Sequence, residues 1–326
     1  MKKVVVSISC ITYNHAAYIR ECLDGFLMQK TNFKFEVLIH DDASTDGTEE
    51  IIREYEVKYP DIIKPLYEKE NQWLKGRRGS RTFNFPRAKG KYIALCEGDD
   101  YWTDPNKLQK QVDFLEANEA FGMVYTDCQS YDQEENKFGL TYPRLHADND
   151  AFHQLVLVNS IQTPTVLIRR SLLNSYNKQI VDSGRTNWKM GDYPMWLYIS
   201  ANSKIKFLDE FSAVYRVLKN SASHFIDKRK EFEFLLSTYE IKYHFLNIYP
   251  DNQFKKKVNW RLIKSLLRYA VILGDDKVLL SSVGYKNYLF FQKKMMSCLS
   301  LLMKVKAFRM FCSSVLDARK ARLSIS

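Results

Sequence analysis

The first glycine of this chain is Gly25, and only 12 glycines occur in 326 residues. A phosphate-cradling loop of the glycine-rich kind needs closely spaced glycines behind a strand, and the polar Thr12-Tyr13-Asn14 stands there instead. The six cysteines, Cys10, Cys22, Cys96, Cys128, Cys298 and Cys312, include no C-x-x-C pair, so a structural zinc site has no support. Cys10 and Cys96 fall in apolar runs, and free core thiols suit a reducing, cytoplasmic compartment. No apolar stretch reaches spanning length. The one that opens the chain stops at Thr12, too soon for a signal peptide or a membrane helix. Zinc-finger and RNP motifs are absent as well, and we expect no nucleic-acid partner.

Acids are scarce in two places. None lies between Glu70 and Glu97, where Lys75, Arg77, Arg78, Arg81, Arg87, Lys89 and Lys91 fall. From Lys286 onward nine Lys or Arg residues face the single acid Asp317. These two stretches concentrate the net charge of +11. With 45% hydrophobic and 27% charged residues, the chain has the balance of a globular protein with a real core.

The first half alternates strand and helix patterns. Strands are expected at Val4–Ile11, Phe35–Ile39, Ile62–Tyr67, Tyr92–Cys96 and Phe121–Thr126. Helices are expected from His15 to Lys30, after Ser44 as N-cap, and from Asp104-Pro105 onward. Repeated βα units imply a mainly parallel sheet flanked by helices, with ligands beyond the carboxyl ends of the strands. That rule predicts that Thr12-Tyr13-Asn14, Asp41-Asp42 and Glu97-Gly98-Asp99-Asp100 converge. Further on, Thr163–Arg169 and Ile205–Tyr215 read as strands and Asp192–Ala201 as a helix. Beyond about residue 225 the pattern is helical. We therefore expect two regions, 1–225 catalytic and 226–326 helical. The tail Tyr288–Leu323 mixes Phe, Met and Leu with Lys and Arg, which suits either a helix lying on an anionic membrane or one packed on the catalytic part.

Carboxylates gathered at one strand end repel each other unless a cation neutralises them. Hard oxygen ligands suit Mg²⁺ or Mn²⁺, and Gly98 allows close approach of a ligand. The other reading of such residues is that they cap helices and end strands, as expected for Asp46 and Asp104.

Three segments in order, Thr12-Tyr13-Asn14, His40-Asp41-Asp42-Ala43-Ser44-Thr45-Asp46-Gly47-Thr48 and Glu97-Gly98-Asp99-Asp100-Tyr101-Trp102, resemble glycosyltransferase family 2, enzymes of GT-A fold that build bacterial surface polysaccharides. The resemblance covers about residues 1–225. It implies an inverting transfer of sugar from a nucleotide-diphosphate sugar, a UDP-sugar, to a hydroxyl of a glycan or lipid-linked glycan. It places Thr12, Tyr13 and Asn14 in the donor site, with Tyr13 against the nucleobase. Asp42 would hydrogen-bond the base and Asp41 would support that strand end. Asp99 would bind Mn²⁺ or Mg²⁺, and Glu97, where the family more often has Asp, would face the ribose. His40 would orient the Asp pair. Gly191-Asp192-Tyr193-Pro194-Met195-Trp196 resembles the acceptor-side motif, with Asp192 the general base or a helix cap. Tyr215-Arg216-Val217 through His224 resembles the loop closing the donor site, where Arg216 and His224 would meet the diphosphate or the metal. Trp102, Trp188 and Trp196 would line the acceptor cleft or fill the core. Such an enzyme would work in the cytoplasm, at the inner face of the plasma membrane if the tail binds there. Two other classes remain: a catalytically inactive nucleotide-sugar or carbohydrate-binding module, and a sugar nucleotidyltransferase, which usually carries the missing Gly-rich loop.

Overall fold

The structure, a computed structural model, describes residues 3–139, 150–181, 188–219 and 227–275. His224, Cys298, Cys312 and the tail Tyr288–Leu323 lie outside the described residues. The chain divides into two compact units after residue 224, and each is described by itself.

In the first unit β1 (Val4–Thr12), α1 (Ile19–Leu27), β2 (Lys34–Asp41), α2 (Thr48–Lys58) and β3 (Ile63–Tyr67) alternate. A π-helical turn, Ser80–Asn84, runs into the single turn α3 (Phe85–Arg87). Then come β4 (Tyr92–Glu97), β5 (Tyr101–Trp102), α4 (Lys107–Ala117), β6 (Phe121–Asp132), β7 (Lys137–Phe138) and α5 (Ala151–Leu157). They are followed by β8 (Leu167–Arg169), α6 (Arg170–Tyr176), α7 (Tyr193–Asn202) and β9 (Lys204–Val217). The strands form one sheet in the order β3-β2-β1-β4-β8-β6-β9-β5, with β7 paired to β6. The pairs β1–β2, β1–β4, β2–β3 and β6–β9 are parallel. The short strand β8 is antiparallel to β4 and β6, and β5 is antiparallel to β9. This is the expected mainly parallel sheet, with the short antiparallel β8 between β4 and β6 and β5 at one edge.

One face of β1 buries Val6, Ile8 and Cys10 against Ile19, Cys22, Leu23 and Phe26 of α1 and Leu108, Val112 and Leu115 of α4. Each such side chain stabilises the fold by about 1.5–3 kcal/mol relative to exposure. The opposite face carries polar groups that are also buried. Ser7 Oγ donates to Glu36 Oε1, which also accepts from the Lys89 N–H. Asn84 Nδ2 donates to Ser9 Oγ and to the carbonyls of Cys10 and Leu38. A buried polar group must be paired to be tolerated, and the segment 80–90 supplies the partners.

Several boundaries differ from expectation. Ser44 does not cap α2. Its hydroxyl donates to Asp41 Oδ1, and α2 starts at Thr48 behind Gly47, whose φ of 97° suits glycine. Asp104 forms the turn that precedes α4 rather than opening it. Within Thr163–Arg169 a 3₁₀ turn, Thr163–Thr165, precedes the three-residue β8, because Pro164 has no N–H for a ladder.

The second unit contains α8 (Lys228–Ile248) and α9 (Asn252–Leu273). Asp227 and Asp251 cap their N-termini, and Gly274 closes α9 at a φ of 61°. Among the described residues no helix is long and apolar enough to cross a membrane.

Candidate functional site

The three polar segments meet at the carboxyl ends of β1, β2 and β4. Thr12 is paired with Asp41 and Ile11 with Glu97 in the ladders. The Asp42 N–H donates to the Thr12 carbonyl and the Gly98 N–H to the Ile11 carbonyl. The loop after β1 is tied to the loop after β2. Asn14 N donates to Ser44 Oγ, Asn14 Oδ1 accepts from Thr45 N, and the N–H groups of His15 and Ala16 donate to Thr48 Oγ1 and Asp46 Oδ2. Asn14 and Ala43 take left-handed φ values of 56° and 64°, a strain that these cross-ties hold in place.

Asp41 is fully buried, and both its oxygens accept from Ser44. Burial pushes its carboxyl above the ordinary value. Asp42 accepts from the backbone of the following loop, Oδ1 from Gln72 N at 2.6 Å and Oδ2 from Trp73 N at 3.1 Å. Both carboxylates therefore build the site, whatever else they contact. Tyr13 is 46% exposed and presents its ring to solvent. His40 is buried, stacked on Phe83 at 4.4 Å, with Nε2 3.5 Å from Glu68. Burial lowers its pKa.

The turn after β4 carries the acids. Glu97, Asp99 and Asp100 each bring one oxygen within 4.8 Å of the others. Asp99 Oδ1 and Asp100 Oδ2 are buried without a hydrogen-bond partner among the described residues. His15 Nδ1 stands 3.9 Å from Asp99 Oδ1, too far for a hydrogen bond. Burial, then Asp99 and then Asp192 push Glu97 up to about 8. Burial and the charges of Asp99 and Glu97 hold Asp100 well above its ordinary value. Gly98 is required here. A Cβ would sit 2.7 Å from Thr12 Oγ1 and 3.1 Å from His15 Nδ1. Two orphaned, buried carboxylate oxygens beside a third acid are a hard-oxygen donor set, and a divalent cation of the Mg²⁺ or Mn²⁺ kind fits it.

Asp192 lies far from these residues in sequence but within electrostatic reach of Glu97. It caps α7, with Oδ1 accepting from Tyr193 N at 2.7 Å, while Thr163 Oγ1 stands 3.4 Å from Oδ2. Burial raises its pKa. Capping and a catalytic role are compatible, because the cap occupies one oxygen.

Two arginines near the site have their guanidinium groups bonded within the protein. Arg87 belongs to the basic stretch between Glu70 and Glu97. It is buried, and its guanidinium donates to the carbonyls of Lys64 and Ile39 and to Asn84 Oδ1. Arg216, expected at the diphosphate or the metal, donates through Nε to the Asp99 carbonyl, through Nη1 to Gln133 Oε1 and through Nη2 to Glu21 Oε2. Trp102 and Trp196 are core residues, 2% and 0% exposed. Sequence reasoning missed Glu21, His15 and the 72–73 backbone. An arginine inside the apolar strand pattern Tyr215-Arg216-Val217 was the available signal, since a buried guanidinium requires acids around it.

Known proteins resemble this chain in sequence and in fold. The glycosyl transferase family 2 model matches residues 7–210, more than half of the chain. An uncharacterized protein of Mycobacterium tuberculosis is 37% identical over 231 residues, 70% of this chain and 64% of that protein. The Escherichia coli UDP-Glc:alpha-D-GlcNAc-diphosphoundecaprenol beta-1,3-glucosyltransferase WfaP is 28% identical over 220 residues, 67% of this chain and 80% of that enzyme. Among solved structures, the Pyrobaculum calidifontis mannosyltransferase PcManGT, in complex with GDP-Man and Mn²⁺, superposes with a TM-score of 0.55 at 17% identity, covering 95% of this chain and 84% of its own. Its likeness is one of fold, the GT-A arrangement of a mixed sheet flanked by helices. By its sequence and its architecture, this chain belongs to glycosyl transferase family 2.

Proposed function

We propose that the chain is an inverting glycosyltransferase that moves a sugar from a nucleotide-diphosphate sugar, a UDP-sugar, to a hydroxyl of a glycan or lipid-linked glycan in surface-polysaccharide synthesis. The carrying observation is the acidic turn, with its two orphaned oxygens, lying within electrostatic reach of Asp192. The UDP-Glc donor and lipid-diphosphate acceptor in the name of WfaP support the substrate classes.

Asp99, with Asp100 and Glu97 beside it, would hold Mn²⁺ or Mg²⁺, and His224 would be a further ligand. When bound, the cation supplies positive charge that neutralises the diphosphate and eases its departure. Tyr13 offers an open ring to the nucleobase, next to Thr12, Asn14, Asp41 and Asp42. Asp192 is the base. Its Oδ1 is fixed by the helix cap, and Oδ2 takes the proton of the acceptor hydroxyl as that oxygen attacks the anomeric carbon. The bond to the nucleoside diphosphate breaks on the opposite face, and one displacement inverts the carbon. Reaction at a lipid-linked acceptor would occur at the cytoplasmic face of the membrane, with the basic tail as the proposed contact.

The test is release of nucleoside diphosphate from a panel of UDP- and GDP-sugars with Mn²⁺ or Mg²⁺. Asp192→Asn should lose about 10²- to 10⁴-fold in turnover and keep donor binding. Asp99→Asn should lose the metal-dependent rate. Full activity in Asp192→Asn would remove the base from the reading. Lack of turnover with any donor and acceptor would favour the inactive binding module.

A further inference from the structure

Arg216 meets the acidic turn twice. Its backbone N–H donates to Asp100 Oδ1 at 2.8 Å, and its Nε–H donates to the Asp99 carbonyl at 2.8 Å. The first bond occupies Asp100 Oδ1 and leaves Oδ2 without a partner, the second holds the Asp99 main chain, and Asp99 Oδ1 is likewise without a partner among the described residues. The guanidinium is 6% exposed. It is enclosed by the rings of Tyr18, Tyr101 and Tyr131, with centroids 4.8, 5.2 and 5.7 Å away. It is then anchored outward by Glu21 of α1 at 2.6 Å, whose side chain is 53% exposed, and by Gln133 at the end of β6.

We propose that Arg216, braced by Glu21, is a positioning residue. It fixes the Asp99–Asp100 turn so that their free oxygens converge on a divalent cation. It contacts neither the diphosphate nor the cation. Three arguments support this over the phosphate role. All three guanidinium nitrogens already have acceptors. A planar fork with five donors matches this divided set of acceptors, which an ammonium cannot. One buried positive charge also offsets part of the mutual repulsion of Glu97, Asp99 and Asp100, so the acids can stay gathered before a cation arrives. Outer partners of this kind typically change metal affinity about 10- to 100-fold when removed.

The inference rests on the proposed metal site. The test is Mn²⁺ titration of the full chain without donor, reading free Mn²⁺ by electron paramagnetic resonance. Arg216→Gln is expected to weaken Mn²⁺ binding about tenfold or more. Arg216→Lys, which keeps the charge and loses the fork, is expected to recover little of it. Glu21→Gln alters an exposed carboxylate, so it tests the idea even if Arg216→Gln fails to fold. It is expected to weaken Mn²⁺ binding by a smaller factor and to leave the circular dichroism melt unchanged. Wild-type Mn²⁺ affinity in Glu21→Gln and in folded Arg216→Gln would overturn the positioning role while leaving the metal site standing. Absence of Mn²⁺ binding by the unmodified protein would overturn the metal site itself, and the positioning role with it.

Discussion

Asp192 shows how a single residue serves two ends. As the cap of α7 its Oδ1 accepts from the Tyr193 N–H, Oδ2 has the Thr163 hydroxyl at 3.4 Å, and its charge is felt at Glu97. Burial raises its pKa, and a general base works only when ionised. The acid limb of the turnover profile should therefore lie at higher pH than an ordinary carboxylate would give, with activity lost as pH falls through that raised value. A pH series of nucleotide release at saturating donor and metal checks this. An acid limb at or below pH 4 would separate Asp192 from the proton transfer. The sequence offered the acids Asp41, Asp42, Asp99 and Asp192 readily, because carboxylates at strand ends and before a helix stand out. It could not show which of their oxygens are spoken for. Asp42 binds the 72–73 backbone, and Arg216 faces inward. Those facts depend on loops whose paths no local pattern specifies.

At the scale of elements, the strand runs and the acids that end them were legible. Their apolar cores and polar stops give a strong signal, and the carboxyl-end rule then placed the site. The short pieces were not. The helices α5 and α6 and the strand β5 are two to seven residues long, too short for a periodicity to emerge. The strand β5 exists because β9 pairs with it and α1 covers it. Gly25 of α1 lets that helix approach, since a Cβ there would meet the Trp102 backbone N and O at 2.9 and 3.0 Å. Gly25→Ala gains about 1 kcal/mol of helix propensity. Overpacking against backbone costs about 1–3 kcal/mol. The backbone atoms cannot rotate away, so the variant should be less stable than wild type in urea unfolding. A higher midpoint would mean that α1 and β5 have room to separate.

The whole molecule carries a buried charge that is unrelated to the site. Lys107 of α4 is fully buried, donates to Gln111 Oε1 and lies over the Trp102 ring at 4.3 Å. Burial lowers its pKa from 10.5 to about 7. The unfolded chain therefore binds more protons than the folded one between those values, and this residue's contribution to stability rises with pH across that window. Lys107→Met lacks the effect. Measured by urea unfolding at pH 7 and pH 9, wild type should gain about 2 kcal/mol relative to the variant. An unchanged difference would mean that Lys107 keeps its ordinary pKa.

The turn Glu97–Asp100 is proposed to hold a divalent cation for a nucleoside diphosphate. Calorimetric titration of UDP and of GDP into the full chain, with and without Mn²⁺, tests it most directly. Mn²⁺ should tighten one of the two diphosphates by about tenfold, roughly 1.4 kcal/mol, and Asp99→Asn should abolish the gain. Equal binding of both with and without Mn²⁺, unchanged in Asp99→Asn, would contradict it.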